Sequence, residues 1–220
     1  MYIHINSATG DINQFLTDLE FLSSDENILT VEKPGEGNMN VVLRVKTNKR
    51  SFIVKQSRPF VQKYQDIPAP LDRIDVEYQF YANIKDGAIT SHTPKVLGYF
   101  EKEATLILED LGHCDDMSFM YKNRVISDAQ LNTLVQILMS IHSAPVTKDY
   151  PENKELRLLN HQHIFILPFL AENGFSLDTI QEGLEALSLP YKNDEQLKQE
   201  IIKVGEKYLC LLYTSPSPRD

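Results

Sequence analysis

The 220-residue sequence predicts an α+β fold, β-rich in its first half and α-rich in its second. Three observations carry this. Short runs rich in β-branched and aromatic residues, separated by turn-forming residues, recur up to about residue 111. From residue 127 onward the apolar residues instead recur every three or four positions, the period of an amphipathic helix. The change falls within residues 111–116 without a long flexible linker, so the halves are expected to pack as lobes.

Taken in order, DINQFLTDLEFL opens at Asp11 and spaces Ile12, Phe15, Leu16 and Leu19 as a first amphipathic helix. ILTVEK, MNVVLRVKT and SFIVKQ are three strands, the first pair joined by PGEGN and the second by the polar turn NKR. Residues 57–71 carry three prolines and are expected to be a loop. DRIDVEYQFYANIKDG places Ile74, Tyr78 and Tyr81 on one helical face and stops at Gly87. PKVLGYFEKEATLILEDLG supplies two more strands around a charged turn. Ser127 and Gln130 then form a capping-box pattern ahead of a stripe of Leu131, Leu134, Val135, Leu138 and Ile141, expected to face the core. Further helical segments are expected near 153–172, 176–187 and 194–209.

The hydrophobic fraction of 42% and charged fraction of 24% are those of an ordinary globular protein. A net charge of −9 argues against a general nucleic-acid binder, though a few local cations suffice to hold a phosphate. Cys114 and Cys210 show neither metal-ligand spacing nor a disulfide framework, which fits a reducing compartment. The N-terminus lacks the basic and apolar regions of a signal peptide, and the longest apolar run, residues 164–170, is far short of a membrane span. A cytoplasmic protein that contacts neither membrane nor nucleic acid is the expectation.

The chemistry-bearing set is Gly35 and Gly37 in the first turn, Lys55 at the end of the third strand, and Glu77 in the helix that follows. Glycines at a turn let backbone N–H groups approach a phosphate without a Cβ clash. A strand lysine can reach that phosphate as a point charge, and a helix glutamate can hold the lysine. Protein kinases use these parts for phosphoryl transfer, with their lysine in a V-A-I-K strand; here the strand reads FIVK. Each part alone has a bland reading as a common turn or a solvated charge, and it is their order that selects nucleotide binding. A P-loop is excluded, because no G-x-x-x-x-G-K-[ST] occurs. The strand LILEDLG can pair its backbone with an adenine edge, and equally be a plain buried strand.

On GEGNMNVVLRV, FIVKQ, RIDVEYQFY and LILEDL, together with NKELRLLNHQHIFILPF further on, the chain resembles the methylthioribose kinases. These sit within the aminoglycoside-phosphotransferase-like and choline-kinase-like small-molecule kinases. The likeness covers roughly residues 28–209. GEGNMN is fairly specific to the methylthioribose branch, whereas the lysine, glutamate and hinge are shared by the whole group. The resemblance implies a protein-kinase-like fold, with an N-lobe over 1–111, an incomplete helical C-lobe over 112–209 and a tail over 210–220. It implies ATP, held by Gly35, Gly37, Asn38, Asn40 and Lys55, with Glu77 as the partner of Lys55 and Glu109, Asp110 and Leu111 as the adenine hinge, and it implies Mg, whose ligands are missing from this chain. It implies a small-molecule acceptor, methylthioribose or a related sugar or amino alcohol; a homodimer stays open.

These kinases also need an H-G-D loop and a following D-x-E or D-F-G-like motif for the acceptor hydroxyl and Mg, and neither occurs in the 220 residues. No catalytic or metal-ligating residue is therefore assigned. His113-Cys114-Asp115 comes too early, with Met120 where a metal-binding Asn would stand, and reads as a polar loop. His161 and His163 would not share a helical face, His142 reads as a packed or capping residue, and Arg157 is left without a role. CLLYTSPSPRD fits no part of the fold and reads as foreign read-through, or else as a natural disordered tail. The chain as written is thus expected to be an inactive fragment of a kinase. The alternatives are a non-catalytic nucleotide-binding or interaction module of the same fold, and a plain α+β protein in which Lys55 and Glu77 never meet. Asp75 is an open competitor for Lys55.

Overall fold

The computed structural model describes residues 2–35, 37–85, 87–114, 117–123, 125–146, 150–170 and 172–210. Asp115 and the Ser/Pro stretch 211–220 lie outside them. The chain divides into two compact units between Pro151 and Glu152.

The first unit is built on a five-stranded antiparallel sheet. Its strands are β1 (Ile28–Glu32), β2 (Val41–Thr47), β3 (Ser51–Gln56), β6 (Val96–Phe100) and β7 (Thr105–Glu109), in the order β1-β2-β3-β7-β6. The alternation read from the sequence sorts their side chains. Val41, Leu43 and Val45 of β2, Phe52 and Val54 of β3, and Ile107 of β7 face one way, against Ile3 and helix α1 (Thr9–Asp18). α1 contributes Ile12, Phe15 and Leu16, all buried. It begins two residues earlier than expected, because the Asp11 carboxylate accepts the Ala8 N–H at 3.2 Å and braces the first turn. Leu106 and Leu108 of β7 turn to the opposite face and meet Ile74 of helix α2 (Arg73–Ile84), with Tyr78 and Tyr81 packed alongside. Burying such side chains stabilises by roughly 1.5–3 kcal/mol each.

The proline-rich segment is not all loop. It contains a two-stranded ribbon, β4 (Phe60–Val61) and β5 (Tyr64–Pro68). Pro59 stands just before β4, Pro68 ends β5 and Pro70 lies beyond, so none removes an interior ladder donor. A 3-10 turn at Ala88–His92 and the short helix α3 (Phe119–Asn123) are also additions, too brief to show a period.

Helix α4 (Asp128–His142) has the capping box read from the sequence: the Ser127 hydroxyl accepts the Gln130 N–H at 3.3 Å, and the Gln130 side chain accepts the Ser127 N–H at 3.0 Å. The expected core stripe is corrected in part. Leu131, Val135 and Leu138 are exposed and Leu134 is half-buried, while Ile141 of the stripe packs, together with Ile137 and Ala144, on Phe80, Ile84 and Ile89. The apolar set on α4 is wider than one face, so its period specifies a helix without specifying which side is covered.

In the second unit the expected helix over 153–172 is interrupted. α5 (Lys154–His161) widens into a π-helical turn at Gln162–Ile166 and then tightens into a 3-10 turn at Leu167–Phe169, where Pro168 removes a donor. The segment expected over 176–187 becomes a 3-10 turn at Leu177–Thr179 and α6 (Leu184–Lys192), which starts from Gly183 at φ +88°. α7 (Glu195–Leu209) matches its expectation and is capped by Asp194, whose carboxylate accepts the Leu197 N–H at 2.9 Å. Buried Arg157 of α5 donates to the Tyr208 and Leu209 carbonyls and so closes the far end of α7. Among the described residues no helix is long and apolar enough to cross a membrane.

Candidate nucleotide site

Strand alternation puts Ser51, Ile53 and Lys55 of β3 on the α2 side of the sheet. Lys55 lies opposite Val42 of β2 and Leu106 of β7. Ile74 anchors α2 on Leu106, and Glu77, nearly one helical turn further on, arrives at Lys55. The Lys55 Nζ lies 2.7 Å from Oε1 and 2.6 Å from Oε2 of Glu77. The Glu77 side chain is 6% exposed and that of Lys55 24%. The reading in which these residues stay apart is therefore not the geometry of this chain. Asp75 does not compete: its carboxylate accepts the Tyr99 hydroxyl at 3.0 Å, and i, i+2 positions on α2 point apart. Burial, and then the charge of Glu77, push the Tyr81 phenol well above its ordinary pKa.

The turn between β1 and β2 carries Gly35, Gly37, Asn38 and Asn40. Neither glycine needs a positive φ. A Cβ on Gly35 would meet nothing within 4 Å, and one on Gly37 would make ordinary contacts with the Asn40 carbonyl at 3.7 Å and Val42 at 3.9 Å. Their contribution is open space over the turn rather than relief of the chain's own strain. The ribbon supports the turn from beneath, the Lys63 N–H donating to the Asn38 carbonyl at 3.0 Å and the Gln62 N–H to the Met39 carbonyl at 3.3 Å. The Asn40 amide oxygen accepts from Arg73 Nε at 2.9 Å and from the Ser57 hydroxyl at 3.3 Å.

Arg73 was given no role from the sequence. It is buried at the first turn of α2 and also donates to the carbonyls of Arg58 (2.7 Å), Met39 (2.9 Å), Phe60 (3.5 Å) and Pro70. Burial lowers its pKa to about 10, which leaves it charged at neutral pH. One signal was legible: a cation at a helix N-terminus opposes the helix dipole, so an arginine there implies other partners.

At the segment expected to be the hinge, the Glu109 N–H donates to the Lys95 carbonyl at 2.8 Å, and its carboxylate accepts the Lys95 N–H at 3.1 Å. The Asp110 carboxylate accepts from Arg44 Nε, 3.1 Å from Oδ1 and 3.0 Å from Oδ2, from the Ser51 hydroxyl, and from the Gly112 N–H at 3.0 Å. Burial opposes its ionisation, but Ser51, Gly112 and Arg44 together outweigh that and hold the carboxyl below the usual range. Gly112, at φ +73°, takes a backbone conformation that favours glycine, and its carbonyl accepts Arg44 Nη2 at 2.9 Å. The side chain of Asp110 is thus a pin between the hinge and β2 and β3. Leu111 is exposed. A pocket of about 370 Å³ opens here, lined by Ile53, Leu108, Pro34, Pro94 and the hinge residues Glu109, Asp110 and Leu111. Ile53 is two residues from Lys55 on the same strand face, so pocket and ion pair are roughly 7 Å apart along β3.

The sites left unassigned find structural partners. His163 Nδ1 lies 2.8 Å from the Leu159 carbonyl, and His161 packs against Phe165. Among the described residues no group of three or more His, Cys, Asp or Glu could hold a metal ion. Glu77 is engaged by Lys55, so the described residues do not make up a Mg site. The Lys55 ammonium and the Ile53 and Leu108 walls of the pocket lie on one sheet face, and Arg44, Glu109, Asp110 and His113 also line that pocket.

The sheet, the lysine–glutamate pair and the strand-end pocket define a mixed α+β architecture compatible with the N-lobe of a kinase-like fold. Among curated proteins the chain is 25% identical over 197 residues to the methylthioribose kinase of Exiguobacterium sibiricum. The alignment covers 82% of this chain and 49% of that protein, so the chain spans about half the length of this relative. No protein-family model matches it.

Proposed function

We propose that this chain is the nucleotide-holding portion of an ATP-dependent kinase that phosphorylates a hydroxyl of a small molecule, methylthioribose or a related sugar or amino alcohol. The observation that carries the reading is the double contact between Lys55 and Glu77, 2.7 and 2.6 Å, on the sheet face that also lines the hinge pocket. An ammonium has three N–H donors, and two directed at the carboxylate leave one for an anionic phosphate oxygen. Phosphoryl transfer breaks the bond from Pγ to the bridging oxygen and forms one to the acceptor oxygen, with negative charge spread over the phosphate oxygens. A cation held in place by a buried partner is suited to that charge, because little of its position has to be found during the reaction. The hinge pocket offers apolar walls at Ile53, Leu108 and Pro34 for a flat base.

The groups that would orient the acceptor hydroxyl and ligate Mg are not among the described residues, and no transfer step is assigned to the side chains present. The 220 residues are accordingly proposed to bind nucleotide without turnover. The reading goes with a cytoplasmic setting and a small-molecule partner. Calorimetric titration of the 220-residue chain with MgATP should show binding, weakened at least about ten-fold by Lys55→Met. A coupled ADP-release assay with methylthioribose should show no turnover by this chain. Wild-type protein that binds no MgATP overturns the nucleotide reading, and acceptor-dependent turnover overturns the assignment of the catalytic groups elsewhere. Nucleotide binding without acceptor-dependent turnover by the protein isolated from its source would favour the non-catalytic module.

A further inference from the structure

A side-chain amide can present either its oxygen or its nitrogen, since the two ends are almost identical in shape, and neighbouring hydrogen bonds decide which. At Asn40 the neighbours are a hydroxyl and a guanidinium. The Ser57 hydroxyl can donate or accept and would tolerate either orientation. Arg73 has donors only, and its Nε stands 2.9 Å from Oδ1. Turning the amide over would set N–H against N–H. Arg73 is therefore the group that determines which end of Asn40 faces inward.

We propose that Arg73 is a positioning residue of the nucleotide site: it holds the Asn40 amide oxygen inward and so makes the amide nitrogen the group the turn presents to an anionic phosphate oxygen. This rests on the nucleotide reading above and adds to it a residue and a direction. The arginine is placed to do this rigidly. A guanidinium has five N–H donors. Nε goes to Asn40, Nη1 to the Arg58 and Pro70 carbonyls, and Nη2 to the Met39 and Phe60 carbonyls, so the fork is saturated. Two of those acceptors, Met39 and Asn40, belong to the turn itself. Arg73 and Glu77 are also one helical turn apart on α2, so the amide and the holder of Lys55 take their positions from the same rigid element. Among the described residues Arg73 makes no ion pair, and the charge of neighbouring Asp72 works against the lowering of its pKa by burial. Its positive charge accordingly adds to the potential at Asn40, where an anion would sit.

The test uses the 220-residue chain, MgATP titration and thermal melting on the variants Asn40→Asp, Arg73→Lys, Asn40→Ala and the double variant Arg73→Lys/Asn40→Ala. In Asn40→Asp both inward acceptor contacts survive and an ion pair to Arg73 is gained, while the outward donor becomes an anion. Its melting temperature should match or exceed wild type while MgATP affinity falls at least about ten-fold. A merely structural role for this contact would not separate the two readouts. Arg73→Lys should weaken MgATP about five-fold or more in the wild-type background and less than about two-fold on top of Asn40→Ala, where no amide remains to be oriented. An equal loss in both backgrounds, or wild-type affinity in Asn40→Asp, overturns the proposal. If Arg73→Lys does not fold, Arg73→Gln measured in the same two backgrounds takes its place. Wild-type protein that fails to bind MgATP is a separate result, which removes the nucleotide reading itself.

Discussion

Removing either partner of the Lys55–Glu77 pair should have unequal effects on stability, and the inequality follows from burial. At about 2.7 Å and an effective dielectric constant of about 20, the gross attraction is about 6 kcal/mol, and desolvating the two ions opposes it by several kcal/mol each. The pair therefore adds little net stability, and what matters is what each deletion leaves behind. Lys55→Met strands a carboxylate that is only 6% exposed, which should cost about 3 kcal/mol. Glu77→Gln strands an ammonium that is 24% exposed and can turn toward water, which should cost only about 1 kcal/mol. The double variant Lys55→Met/Glu77→Leu leaves neither charge and should lie within about 1 kcal/mol of wild type. Urea denaturation at pH 7 measures all three. The reasoning fails if Glu77→Gln is the more damaging single change, or if the double variant shows the sum of the two single losses.

Other outcomes follow from separate parts of the molecule. Glu26 accepts from Arg50 Nε at 2.8 Å and Thr47 Oγ1 at 2.9 Å, and the Arg50 bond, against the opposing effect of burial, holds its carboxyl below the usual range, as Ser51, Gly112 and Arg44 do for Asp110. Depressed carboxylates add stability that is present above their unfolded pKa of roughly 4 and is lost as pH falls through the lower folded values, so melting temperature should drop below about pH 4. Glu26→Gln should flatten part of that drop in a melting series from pH 7 to 3. Gly205→Ala should destabilise by about 1 kcal/mol although alanine is the better helix former. Its Cβ would stand 3.1 Å from the Phe165 Cβ and 2.8 Å from His161 Nε2, and of these only the histidine ring can swing aside. A chemical melt of that variant with equal or higher stability would show that the α5–α7 contact gives way more readily than these distances imply.

Much of the first unit was legible before any coordinates. Period-two runs located β1, β2, β3, β6 and β7, and period-3.6 spacing located α2, α4 and α7, because a half-buried strand or helix must repeat its apolar residues at the pitch of its backbone. The ribbon at 60–68 and the breaks in the second unit escaped, since β4 is two residues long, β5 is largely exposed and shows no apolar alternation, and a single π or 3-10 turn does not repeat its pattern.

The candidate site divides in the same way. The order of Gly turn, strand lysine and helix glutamate, with the family resemblance, pointed to a Lys55–Glu77 pair while leaving open that the two never meet, and the structure brings them into contact; the alternation of β3 sets Ile53 and Lys55 on one face. The sequence by itself thus determined the elements, their polarity and the residue types they carry. Only the tertiary structure decided that Arg73 gathers the turn, the ribbon and α2 around one guanidinium, that Arg44 and Ser51 pin Asp110, and that α4 adds Ile137 to Ile141 on its covered side while Leu131 and Leu138 stay exposed. The physical reason is range: periodicity is imposed by neighbours along the chain, whereas the partner of a buried polar group is whichever acceptor the folded chain brings within 3 Å, and for Arg73 one of those acceptors lies 33 residues away.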